Sequence, residues 1–128
     1  MDYKLLNGAN LAFVGDAYYE LVIREHLINK KITNLHKLHD LSVKYVSATA
    51  HNLIMEKLLP LLNEEEIDIF HRGRNYSYSS RRKNVKRDEY INSSGFEALI
   101  GYLYLIDNKK RLEEIINLAI NIVEDYNE

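Results

Sequence analysis

The chain contains no cysteine in its 128 residues. This excludes a disulfide framework and a thiolate zinc site, and it suits a reducing compartment. Proline occurs once and glycine five times, too few for a fold built from turns. No apolar stretch is long enough to cross a bilayer, because charged residues interrupt every one. Residues 1–10 (MDYKLLNGAN) lack the apolar centre of a secretion signal. The expectation is a cytoplasmic protein with no membrane contact. Charge of one sign is scarce too: the net value is −2, which argues neither for nor against a nucleic-acid partner.

Charges recur at helical intervals along most of the chain. With so little loop chemistry, this predicts an all-α fold, and the length fits a single domain over 1–128 with a core of its own. The distribution of charge is more informative than its sum. His71–Tyr90 holds Arg72, Arg74, Arg81, Arg82, Lys83, Lys86 and Arg87 against Asp88 and Glu89. That segment is net +5, so the rest of the chain is −7. Tyrosines and serines are interleaved with these cations, a composition suited to phosphates and sugar hydroxyls. A solvated charge run is the alternative.

Asn7, Gly8 and Asn10 are cap or turn residues before a first helix that starts near Leu11 and ends near Asn29–Lys31. Its apolar residues lie nearly all round, as in a central helix. Thr33 or Asn34 caps a short helix over Leu35–His39, and Ser42 starts another that Pro60 ends. Asn63 caps a helix whose first turn carries Glu64, Glu65 and Glu66, where the helix dipole favours acids; it is expected to run to about Arg74. Asn75–Val85 reads as an exposed loop. Ser93 or Ser94 opens the next helix, Asp107–Lys109 breaks it, and an amphipathic helix through Leu112–Val123 follows.

Two segments stand out: Leu11–Leu27 (LAFVGDAYYELVIREHL) and Ser94–Leu105 (SGFEALIGYLYL). Asp16 follows Gly15, and Glu97 lies between Phe96 and Ala98. An acid in such surroundings is costly unless it is paired or holds a cation. Two of them beside small residues suggest a shared metal site. Other readings stay open at this point. Asp16 can be a polar residue paired at a helix contact. Glu20, four residues after Asp16, can pair with Arg24. Glu97 can return to Ser94 as a capping box. His36 and His39 are three apart, but without a third ligand they do not make a zinc site.

Phe13-Val14-Gly15-Asp16-Ala17-Tyr18-Tyr19-Glu20-Leu21 resembles the signature of the ribonuclease III family. Gly95-Phe96-Glu97-Ala98-Leu99-Ile100-Gly101 is similar to that family's second catalytic helix. Arg72-Gly73-Arg74-Asn75 and Ser93-Ser94-Gly95-Phe96-Glu97-Ala98 are similar to its Mini-ribonuclease III class, which consists of the catalytic domain alone. Only Asn108–Glu128 follow the second motif, in keeping with that class.

The resemblance implies an all-helical ribonuclease III-like homodimer with a valley for duplex RNA. It implies Asp16 and Glu97 as catalytic residues that hold Mg²⁺, with Mn²⁺ as a substitute, and Glu20 and Ser94 as possible supporters. Larger members carry a Glu four residues before the Asp, where this chain has Ala12. They carry an Asp three residues before the Glu, where this chain has Ser94. The implied activity is cleavage of double-stranded RNA, with 5′-phosphate and 3′-hydroxyl ends, in maturation of a 23S ribosomal RNA precursor. Arg72, Arg74, Arg81, Arg82, Lys83, Lys86 and Arg87 are the candidate RNA contacts. The competing expectation is a catalytically weak or inactive RNA-binding module on the same fold.

Overall fold

A computed structural model of the chain describes residues 1–79 and 87–127. Among the described residues six α-helices carry the fold: α1 (Gly8–Asn29), α2 (Leu35–Val46), α3 (Ala48–Leu58), α4 (Glu64–Ser79), α5 (Arg87–Leu105) and α6 (Lys109–Tyr126). No strand occurs among the described residues, so the all-α expectation holds.

The caps explain several boundaries. The Asn7 side chain accepts from the Asn10 amide at 2.8 Å, and that of Asn34 from the Lys37 amide at 2.9 Å. Asn63 and Glu66 form a reciprocal pair, each side chain accepting from the other's amide, at 2.9 and 3.0 Å. This pattern satisfies two donors that a helix start leaves open.

Three boundaries differ from the sequence reading. No new helix starts at Ser42; its hydroxyl donates to the His39 carbonyl at 2.9 Å, and α2 continues through it. The break falls at Ser47, which is extended at φ −69° and ψ 159° and caps the Ala50 amide. Helix α4 continues past Arg74 to Ser79. Helix α5 begins at Arg87, with Asp88 and Glu89 in its first turn. Ser94 is therefore an interior helical residue, and the capping-box reading of Glu97 is wrong.

Helix α5 is the axis of the molecule, packed against α1, α3, α4 and α6. Phe96 and every residue of Ala98–Leu103 are buried. Its contact with α1 is unusually close because glycine faces glycine. A methyl group on Gly15 would overlap the Glu97 carbonyl oxygen, and one on Gly101 would overlap the Leu11 carbonyl oxygen. The two backbones touch where any side chain would hold them apart.

Polar clasps lock the periphery. Glu66 is 2% exposed and receives two hydrogen bonds from Arg111, at 2.7 and 2.9 Å. Burial opposes its charge, but these bonds hold its carboxyl below the usual range. The Arg111 Nη2 that donates to Glu66 also donates to the Leu61 carbonyl at 2.9 Å. Removing one partner of a buried pair strands the other charge. Arg111→Met is therefore expected to cost about 3 kcal/mol in urea unfolding, with part of the loss recovered in the Glu66→Gln, Arg111→Met double variant. A loss below about 1 kcal/mol, the range of exposed pairs, would contradict this role. At the far end, Glu124 on α6 accepts from His26 and Tyr45 at 2.9 and 2.8 Å, and from Lys30. Burial alone would raise this carboxyl, yet the three donors bring it down to about 2.

Candidate active site

The α1–α5 crossing brings two short stripes of side chains face to face. Ala9, Ala12, Phe13 and Asp16 come from α1, and Tyr90, Ser93, Ser94 and Glu97 from α5. Both stripes follow the same spacing of three, four and seven residues, which lines up one face of a helix. With Asn10 and Tyr76 they line an open cleft of about 560 Å³.

Asp16 is exposed at the cleft and Glu97 is half-buried. Their carboxyl groups share a hydrogen bond. Gly15, adjacent to Asp16, sets this approach by resting on the Glu97 backbone. Burial is the largest influence on Glu97, followed by the hydrogen bond with Asp16, then the charges of Asp16 and Glu20. Together they push its carboxyl up to about 9. Near neutral pH Glu97 is therefore protonated and donates to Asp16. Neighbouring carboxylates resist ionising together, and a cation between them removes that cost.

That donor set fits Mg²⁺. The ion prefers carboxylate oxygen, keeps several waters, and is commonly held by one or two carboxylates plus phosphate oxygens. No group of three or more His, Cys, Asp or Glu suited to a metal occurs among the described residues. Ala12 and Ser94, neither of them an acid, line the cleft beside the pair.

The other candidates sit as follows. Glu20 is 3.9 Å from Arg24, with both side chains partly exposed, so it forms the i,i+4 pair and also adds negative potential at Glu97. Ser94 is buried in the cleft wall. The Arg72 guanidinium donates to the Lys4 and Leu6 carbonyls and pins the amino-terminal segment. Arg74 donates to Asn92 at 2.8 Å and lies over the Phe70 ring. Arg87 is exposed at the start of α5. Arg81, Arg82, Lys83 and Lys86 lie outside the described residues. His36 faces Asp40 at 3.4 Å.

The sequence reading missed Ala9, Asn10, Phe13, Tyr76, Tyr90 and Ser93 as cleft residues. For Phe13, Tyr90 and Ser93 a signal existed, because they repeat at helical spacing from Asp16 and Glu97. Tyr76 had none, since it reaches the cleft from α4.

Comparisons with known proteins bear on the family and the fold. A family model described as "Ribonuclease III domain" matches residues 9–108. The chain is 44% identical to a Mini-ribonuclease 3 of Enterococcus faecalis, over 99% of this chain and 98% of that one. It is 46% identical to a Mini-ribonuclease 3 of Acholeplasma laidlawii, over 93% and 95%. The fold is similar to a crystal structure of a Fusobacterium nucleatum protein, with a TM-score of 0.82, 31% identity, and coverage of 94% and 96%.

Proposed function

The chain belongs to the ribonuclease III family, and on that premise we propose that it is a metal-dependent endoribonuclease that cuts double-stranded RNA, with Asp16 and Glu97 as its cation-binding pair. One observation supports the reading above others: two carboxyl groups from two helices meet in one open cleft, where burial and the neighbouring acid raise the Glu97 pKa. Asp16 and Glu97 would hold Mg²⁺, or Mn²⁺ in its place. When bound, the cation lowers the pKa of the attacking water and neutralises charge that builds at phosphorus.

This chain's residues do the rest. Gly15 and Gly101 set the spacing of the pair. Glu97 gives up its proton as the site loads. Glu20, held by Arg24, adds negative potential without entering the pair. Water attacks phosphorus, the bond to the 3′ oxygen breaks, and the leaving oxygen takes a proton. The ends are then 5′-phosphate and 3′-hydroxyl.

The chain acts as one catalytic domain spanning 1–128, on a duplex such as a 23S ribosomal RNA precursor. Duplex RNA is held by shape, through phosphates and 2′-hydroxyls. Arg81, Arg82, Lys83, Lys86 and Arg87 are the proposed contacts, since Arg72 and Arg74 are taken up by the Lys4, Leu6 and Asn92 bonds; binding is expected to weaken steeply with salt. The active form is a homodimer. Its support is an exposed apolar stripe on α1: Phe13 at 82%, Leu21 at 63% and Ile28 at 49% exposure. Sedimentation should give twice the 15.0 kDa of one chain; a monomer at micromolar concentration would remove this element. Among the described residues no helix is long and apolar enough to cross a membrane.

The test is incubation with a long duplex RNA and its single strands, with Mg²⁺ or EDTA. Cutting of the duplex alone, only with Mg²⁺, and with 5′-phosphate ends is the expected result. Binding without cutting under every metal tried would favour the second reading, an RNA-binding module. The observation on its side is the pair of non-acidic residues, Ala12 and Ser94, in the cleft wall.

A further inference from the structure

His51 lies behind the cleft, on α3, and is 1% exposed. Its ring is walled by Tyr19 of α1 and Phe96 of α5, with centroids at 5.4 and 4.8 Å. Nδ1 is 2.7 Å from the Ser93 hydroxyl oxygen. Nε2 has no hydrogen-bond partner among the described residues. An apolar ring would fill the space between Tyr19 and Phe96 without burying an unpaired nitrogen, so packing alone does not account for a histidine here.

The surroundings decide where its proton sits. Burial pushes the imidazole pKa down to about 3, so the ring is neutral and one nitrogen carries hydrogen. On Nε2, that hydrogen would be a buried donor without an acceptor. On Nδ1, it is donated to Ser93, and only a lone pair is left unpaired. The second arrangement costs less. Ser93 thus receives a hydrogen bond from the core side and keeps its own hydroxyl proton for the cleft. There it lines the wall with Ser94, Asp16 and Glu97. Ser93 is four residues before Glu97, so the two share a face of α5.

We propose that His51 is a positioning residue, which holds the Ser93 hydroxyl toward the Asp16–Glu97 pair and so supports these carboxylates when they bind a cation. Carboxylates that ligate a metal are themselves hydrogen-bonded, and loss of such outer partners typically costs about 10–100-fold in metal affinity or activity. This inference rests on the cation site proposed above.

The test titrates the full chain with Mn²⁺, reads free Mn²⁺ by electron paramagnetic resonance, and records thermal midpoints alongside. His51→Phe keeps a packed ring but has no donor, and Ser93→Ala removes the acceptor. Each is expected to bind Mn²⁺ about tenfold more weakly. His51→Gln, whose amide can donate to Ser93, is expected to stay within about twofold of the parent. Ile115→Ala, a buried residue of α6, should lower the thermal midpoint and leave Mn²⁺ affinity unchanged. Parental affinity in His51→Phe would overturn the role of His51. If that variant does not fold, parental affinity in Ser93→Ala overturns it instead. A parent that binds no Mn²⁺ would overturn the cation site and, with it, this inference.

Discussion

Glu97→Gln is expected to lose duplex cleavage by about 10³-fold while the metal-free protein becomes more stable. The first effect follows from the charge. A neutral amide oxygen ligates a divalent cation far more weakly than a carboxylate does, and the electrostatic stabilisation a metal supplies amounts to several kcal/mol, at about 1.4 kcal/mol per decade of rate. The second follows from the proton. Folding raises the Glu97 carboxyl from the ordinary 4.5 to about 9. Its contribution to stability is thus fully present below the unfolded value and is lost as pH rises through the folded one. Glutamine does not titrate. Parent and variant should be alike in acid, and the variant should lead increasingly from about pH 5 to 9, by on the order of 5 °C in thermal midpoint. Cleavage rates and thermal scans without metal across that range check both parts. A variant that is merely destabilised, at every pH, would mean that Glu97 is an ordinary structural acid.

Gly101→Ala carries the largest expected effect on stability. The added methyl meets the Leu11 carbonyl oxygen and stands against the Gly15 backbone nitrogen at 2.9 Å. Its neighbours are main-chain atoms of a buried helix, which cannot rotate away as a side chain would. Accommodation requires α1 and α5 to separate along the crossing that positions Asp16 and Glu97. The cost is on the order of 4 kcal/mol or more, against a total of about 5–15 kcal/mol for a typical domain. Urea unfolding should show a large loss of stability or an unfolded variant. Any folded fraction should bind cations weakly, because the pair is moved apart. Near-parental stability would show that the helices do not need glycine to approach.

The cleft was partly legible in the sequence, and the limits have physical causes. Asp16 and Glu97 stood out because an acid in an apolar helix must be accounted for. Their sharing of a proton was not legible, since it depends on how closely two helices cross. Gly15 and Gly101 carried that information only in retrospect: small residues permit close approach but do not say which helix will take it. Asn7, Asn34 and Asn63 were readable as caps because their side chains bond locally. Ser42 was misread for a related reason. A serine hydroxyl can cap a helix or bond back to the preceding turn, and here it does the latter. The start of α5 was placed too late because Ser93 and Ser94 were read as a helix entry, whereas the acids Asp88 and Glu89 already marked the first turn. Arg72 and Arg74 looked like solvent-facing cations by composition. Their bonds to the amino-terminal carbonyls and to Asn92 join segments far apart in the chain, which no local pattern encodes.

The activity proposed for this chain depends on Asp16 and Glu97 forming one cation-binding pair. The most direct measurement is a pH titration of the Glu97 side-chain carboxyl carbon by NMR, with and without Mg²⁺. An apparent pKa near 9 is expected in the metal-free protein, with a fall of at least about two units when Mg²⁺ displaces the Glu97 proton. A Glu97 that titrates in the ordinary carboxylate range and does not respond to Mg²⁺ would contradict it.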